Sequence, residues 1–167
     1  MSPSPEHGQY ESLLEDFVLM FCETFRIPLE KCGRATWRRQ SLSKGAEADA
    51  SFYIKSAGRI IGRKINLESD PPPDIVVEID VTNSSLRKLS IHVGLGISEV
   101  WRYDGHVCRF YILVKDAYRE TRISRCLPGL TGPMIADSIE LSKTQGQDEA
   151  RKAFRRRIKA LKKGPPS

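Results

Sequence analysis

The sequence has no run of eighteen apolar residues, which excludes a membrane-spanning helix. Its opening, MSPSPEHGQY, has neither the basic nor the apolar region of a secretion signal. Cysteine is sparse. Cys22, Cys32, Cys108 and Cys126 are scattered and form no CxxC pair, which argues against a zinc ribbon or redox motif and fits a reducing cytoplasm. No ligand set surrounds them, so they read as small buried hydrophobes. No internal repeat is present. Acid is missing from residues 151–163, where Arg151, Lys152, Arg155, Arg156, Arg157, Lys159, Lys162 and Lys163 follow one another.

That gap explains the charge. The chain of 167 residues carries 27 basic and 21 acidic side chains, a formal +6. Eight of the basic residues lie in 151–163, which leaves a nearly neutral body. The length suits one domain, and 40% hydrophobic residues suffice for a core. The division expected is a domain over 7–142 and a basic helix or tail over 143–167. In that tail Ala153, Phe154, Ile158 and Leu161 form a thin apolar stripe ahead of a Gly-Pro-Pro stop. Its charge suits either a phosphate backbone or a solvated helix. A second basic cluster comprises Arg34, Arg38, Arg39 and Lys44 around Trp37. Arg34, Arg38 and Arg39 are candidate nucleic-acid contacts, and Trp37 is either a stacking ring or a partly buried one.

Leu13, Leu14, Phe17, Val18, Phe21 and Phe25 recur at helical spacing and predict a helix over 7–25. The run 32–39 is a weak strand, 49–54 a better one. Three prolines, 71–73, force an extended entry into 74–81, the most strand-like segment of the chain. Asn83, Ser84 and Ser85 are N-cap candidates for a helix over 85–94. Strands at 99–103 and 107–114 flank Asp104-Gly105, a hairpin signal. Further strand is expected over 118–123 and a short helix over 134–142. Helices interspersed with strands define an α/β or α+β fold, a sheet with helices packed on it. Trp101 and Tyr103 read as core, His106 as solvated, and Ser84 and Ser85 as caps with no base to make them nucleophiles.

Strand alternation puts Ile75, Val77, Ile79 and Val81 on one face of 74–81, and Asp74, Glu78 and Asp80 with Val76 on the other. Glu47 and Asp49 share a parity on the preceding strand. Should the two strands be neighbours, up to five carboxylates converge. Such crowding calls for a cation, and oxygen donors without a His or Cys set select Mg²⁺, with Mn²⁺ as a substitute. Acids pointed at solvent from a half-buried strand give the same pattern. Against that reading, the acids lie on two segments, and Lys88 follows on the next helix, where its ammonium can lean over the strand end. His92 lies one turn later, as a structural residue or a neighbour of the site.

The phrases Glu47-Ala-Asp49-Ala-Ser-Phe-Tyr-Ile, Pro71-Pro-Pro-Asp74-Ile-Val-Val-Glu78-Ile-Asp-Val-Thr-Asn-Ser-Ser85 and Leu95-Gly-Ile-Ser-Glu99-Val-Trp-Arg-Tyr-Asp-Gly105 resemble the Uma family of restriction endonucleases, in the PD-(D/E)XK nuclease superfamily. The resemblance runs from about His7 to Leu130. It implies a restriction-endonuclease-like fold, a central mixed sheet flanked by helices, and Mg²⁺-dependent cleavage of phosphodiester bonds in DNA by a cytoplasmic bacterial enzyme. Asp49 matches the acid of the family's Pro-Asp element, with Ala48 in place of proline. Glu78 matches the second acid. Asp80 occupies the usual place of the lysine, and Lys88 matches the position from which the following helix supplies it. Asp49, Glu78 and Lys88 are thus the expected catalytic set. Asp49, Glu78, the Ile79 carbonyl and Asp74 are the expected metal ligands, and Glu47, Asp80 and His7 stand in second rank. His7 falls where family members carry a histidine at the start of the first helix. Longer relatives have an N-terminal region ahead of that point. Nucleases of this architecture pair subunits to cut two strands, so a homodimer is compatible with the resemblance. The alternative is a catalytically inactive nucleic-acid-binding or interaction module with the same fold. A hydrolase of small phosphorylated compounds ranks last.

Overall fold

The computed structural model describes residues 3–82 and 84–165. Helix α1 (Pro5–Phe25) opens the chain. Ser4 caps it, its Oγ accepting from the His7 N–H at 3.2 Å, and Pro5 fits the first turn because the N–H it lacks has no helical partner there. The helix therefore starts two residues before its apolar periodicity does.

Strands β1 (Glu30–Lys31), β4 (Ala50–Tyr53), β5 (Ile75–Ile79), β6 (Glu99–Tyr103), β7 (Cys108–Val114) and β8 (Ala117–Thr121) form one sheet in that spatial order. Only β5 and β6 run parallel. The crossover between them holds a 3₁₀ turn (Leu86–Lys88) and helix α3 (Leu89–Leu95). Strands β2 (Ala35–Arg39) and β3 (Lys44–Ala48) make a separate antiparallel ribbon. A short helix, α2 (Ala57–Ile60), follows β4, and α4 (Gly132–Gln145) and α5 (Gln147–Lys163) close the chain.

The faces of β5 divide as its alternation requires. Ile75, Val77 and Ile79 pack with α1, α4 and α5, whereas Val76 packs with Trp37, Tyr53, Leu95 and Val100 on the side of α3 and the ribbon. Buried on both faces, β5 has no solvent side on which to park an acid, so Glu78, 1% exposed, needs partners. This mixed sheet between helical layers is a restriction-endonuclease-like architecture. No helix among the described residues is long and apolar enough to cross a membrane.

Three elements differ from expectation. The strand expected over 49–54 is cut at Asp49, which lies between β3 and β4. The helix expected over 85–94 begins as a 3₁₀ turn with no side-chain cap, because the Ser85 hydroxyl donates to Asp80 Oδ2 at 2.9 Å instead. Asn83 lies outside the described residues. The basic segment 143–167 also holds no break in packing at its start, since α4 runs through that point. The stripe of α5 enters the main core, with Phe154 stacked on Phe17 at 4.4 Å between centroids. At the head of α4, a Cβ on Gly132 would lie 2.1 Å from the Cys108 carbonyl oxygen, so only glycine allows α4 to approach β7 this closely.

The β6–β7 hairpin turns at Asp104, whose Oδ1 accepts from the N–H groups of His106 (2.9 Å) and Val107 (2.7 Å). Burial works to raise this carboxyl. The two N–H groups and the Arg109 guanidinium outweigh it and hold the pKa below the ordinary 3.8. A depressed folded pKa contributes stability that is complete above the unfolded value and disappears as pH falls through the folded one. Asp104→Asn is therefore expected to flatten the acid limb of stability: between pH 5 and pH 2.5 the wild type loses more of its melting temperature than the variant does.

Candidate active site

Asp49 occupies the break between β3 and β4. Its N–H donates to the Val77 carbonyl at 3.0 Å, and its Oδ2 accepts from the Ile79 N–H at 2.8 Å. The carboxylate thus replaces a ladder acceptor at the end of β4 and is fixed against β5, near Glu78. The remaining oxygen, Oδ1, lies 3.0 Å from the Arg34 guanidinium, and His7 Nε2 approaches Oδ2 at 3.3 Å.

Glu78 is held from the other side. Lys88 Nζ lies 2.9 Å from its Oε2, and His92 Nε2 lies 2.8 Å from its Oε1. The 3₁₀ turn and α3 stack Lys88 and His92 one turn apart, so both reach the same carboxylate. Lys88 also donates to the Glu47 carbonyl at 2.8 Å, and its side chain is 37% exposed at the mouth. Asp80 anchors the turn that carries Lys88. Its Oδ2 accepts from Arg102 at 2.6 Å and from the Ser85 hydroxyl, and its Oδ1 accepts from the Ser85 N–H. Burial disfavours the Arg102 cation, but its hydrogen bond to Asp80 overrides this and raises its pKa. The residue in the usual place of the lysine is therefore tied into the scaffold.

These groups line a cleft of about 640 Å³ that also takes in Ile79, Ser84 and Ser85. Glu11 joins from α1, one turn after His7, with Oε2 at 2.7 Å from Arg34 and 3.6 Å from His7 Nδ1. Four carboxylates (Glu11, Glu47, Asp49 and Glu78) thus face two cations, Arg34 and Lys88. With neutral imidazoles the formal excess is two negative charges, the charge of one divalent cation.

The structure brings Asp49, Glu78, Ile79, Lys88, His7 and Asp80 to this cleft. Glu47 joins it through its carbonyl, accepting from Lys88, while its half-exposed carboxylate pairs with Arg34. Asp74 it does not bring. Four residues up β5, roughly 13 Å at the rise of a strand, the Asp74 Oδ2 accepts from the Ile54 and Ser56 N–H groups at 2.6 and 3.0 Å. Asp74 closes a loop, and the expected metal set is corrected accordingly.

The basic cluster is corrected as well. Arg34 is spent on Glu11, Glu47 and Asp49; burial opposes its charge, but these acids hold its pKa above that of an ordinary arginine. Arg39 donates to the Leu67 carbonyl at 3.1 Å and ties the ribbon to the loop before β5. Arg38 alone of the three is exposed without an ion pair among the described residues. Trp37 is core, its Nε1 donating to Ser51 Oγ at 2.7 Å. On α5, Arg151 meets Asp16 and Lys162 meets the Thr24 carbonyl, so that helix lies along α1 leading away from His7.

Sequence reasoning missed Glu11, which reads as an ordinary first-turn acid. Its i+4 spacing from His7 was the available signal. It also left His92 undecided, although a histidine i+4 from the candidate lysine shares that lysine's face.

A mixed sheet with two acids at adjoining strand ends and a lysine leaning over them defines a restriction-endonuclease-like protein. The match is more specific than that. Residues 1–143 fit the model of the Uma2 family, described as "putative restriction endonuclease", and the chain belongs to this family. No curated protein matches the chain.

Proposed function

We propose that this protein is a metal-dependent endonuclease that hydrolyses phosphodiester bonds of DNA, with Mg²⁺ as its ion and Mn²⁺ as a substitute. One observation carries the reading: Asp49, Glu78 and Lys88, from three separate segments, meet in one cleft with an excess of negative charge. The donor chemistry fits the ion, because carboxylate oxygens beside a main-chain carbonyl suit a hard divalent cation. Asp49, Glu78 and the Ile79 carbonyl would hold it. Bound there, a divalent cation supplies Lewis-acid charge, lowering the pKa of a water and offsetting charge on the scissile phosphate.

The other parts of the mechanism belong to the chain. Lys88 presents N–H donors at the mouth and orients the attacking water, then stabilises the negative charge that builds on the phosphoryl oxygens. His92 holds Glu78 in one rotamer from within the core. The Asp80–Ser85–Arg102 group fixes the turn beneath Lys88. The ribbon edge bearing Arg38 offers a backbone contact for the duplex.

Lys88→Ala is the test. Its cleavage rate with Mg²⁺ falls on the order of 10²–10³-fold, the loss expected for removing one aimed donor. Binding to the same duplex in Ca²⁺ stays close to wild type, because one of many phosphate-range charges is lost. Lys88→Arg recovers part of the rate. Unchanged cleavage by Lys88→Ala would refute the assignment.

A further inference from the structure

We propose that His7, Glu11 and Asp49 form a second cation site, beside the Asp49–Glu78 pair and selective for a divalent transition-metal ion, with the Arg34 guanidinium as its built-in competitor.

One ligand atom from each of these three residues lies within 4.8 Å of the other two. An ion with bonds of about 2.1 Å reaches donors up to about 4.2 Å apart, so a closure of a few tenths of an ångström suffices. The second observation is the imidazole itself. His7 is 8% exposed, and its Nδ1 is fully buried without a hydrogen-bond partner. Its Nε2 faces Asp49 Oδ2 at 3.3 Å and its Nδ1 faces Glu11 Oε2 at 3.6 Å. A buried ring turned on two carboxylates with no hydrogen bond to either lacks the partner such a group ordinarily has. Coordination by one nitrogen supplies it, and the other nitrogen then donates to the second acid, which fixes the tautomer.

Ligand chemistry sets the selectivity. Mg²⁺ prefers oxygen alone, whereas one imidazole with two carboxylates suits Mn²⁺ and its neighbours in the first transition row. Arg34 now stands between the same acids, at 2.7 Å from Glu11 and 3.0 Å from Asp49. It is one-third exposed and also contacts the outlying Glu47 at 3.1 Å, so it has a place to swing when an ion enters. The guanidinium and the ion compete for the same charge.

The site does not depend on DNA cleavage, and Glu78→Gln separates the two, since Glu78 belongs only to the first pair. The experiment titrates Mn²⁺ alone into full-length Glu78→Gln and reads bound ion by pulsed electron paramagnetic resonance. The expected spectrum shows ¹⁴N coupling from a directly bound imidazole. His7→Gln in the same background removes that coupling and so excludes His92 as its source. Arg34→Gln tightens Mn²⁺ binding by about tenfold or more, because a competing charge a few ångströms away is gone. Mg²⁺ in equal amount does not displace the Mn²⁺. Bound Mn²⁺ without nitrogen coupling would overturn the site. So would a coupling that survives His7→Gln, or no binding even in the Glu78→Gln/Arg34→Gln double variant. Circular dichroism of each variant establishes that it is folded.

Discussion

Glu78→Gln is expected to abolish metal-dependent DNA cleavage, a loss on the order of 10³-fold or more, while leaving the protein folded. The carboxylate is 1% exposed and lies between an ammonium and an imidazole. Amide and carboxylate have nearly the same shape, so packing on the α3 side of β5 survives. His92 keeps a hydrogen-bonding partner in the amide, and Lys88 keeps the Glu47 carbonyl and solvent. The weakened charge-assisted bonds cost about 1.5–3 kcal/mol, which a domain of this size tolerates. Chemistry has no such margin, because a neutral amide neither attracts a divalent cation nor balances Lys88. Kinetics with a defined duplex in Mg²⁺, beside thermal melts, separates the two effects. Cleavage within tenfold of wild type would remove Glu78 from the mechanism.

Phe154→Ala is expected to destabilise the protein by about 3–5 kcal/mol, the range for truncating a buried aromatic. For a chain of this length that lowers the melting temperature on the order of 10 °C. Phe154 is fully buried and stacked on Phe17 of α1, with Ala150 and Ile158 beside it. Arg155→Ala, one residue away on the exposed face, changes stability by no more than about 0.5 kcal/mol. Calorimetric melts of both variants make the comparison. Equal melting temperatures would mean that α5 is an appendage rather than a wall of the core. The contrast also bears on the basic residues of α5, which lie along α1 leading away from the cleft and stay soluble cover for its apolar stripe.

The parts of this site that lie within a strand or one helix turn of each other were legible in the sequence. Period-two alternation separated Glu78 from Ile79, and helical spacing put Lys88 and His92 on one face. Asp49 stood out because its segment parallels the strand that carries Glu78. Contributions that depend on where distant elements dock were not legible. Glu11 reaches the cleft because α1 aims its first turns at the end of β4. Asp74 leaves the acid set because main-chain N–H groups at Ile54 and Ser56 claim its carboxylate. Arg34 looked like a ligand for phosphate, since its acidic partners come from α1, β3 and the break after it. The β2–β3 ribbon was hidden for a local reason. Its turn uses a 3₁₀ step, Gln40–Leu42, and Ser43 at φ 52°, with none of the glycine pairs that announce a hairpin. The apolar face of α5 was outweighed in composition by eight basic residues, although three of its four stripe positions are buried.

The central claim is that the cleft hydrolyses DNA with a divalent cation. Supercoiled plasmid incubated with the wild-type protein in Mg²⁺, in Mn²⁺ and in excess chelator tests it most directly. Nicked or linear product in both metals, and none in chelator, is the predicted result. Plasmid that stays intact in every metal while the protein binds it, or cleavage that persists in chelator, would contradict the account.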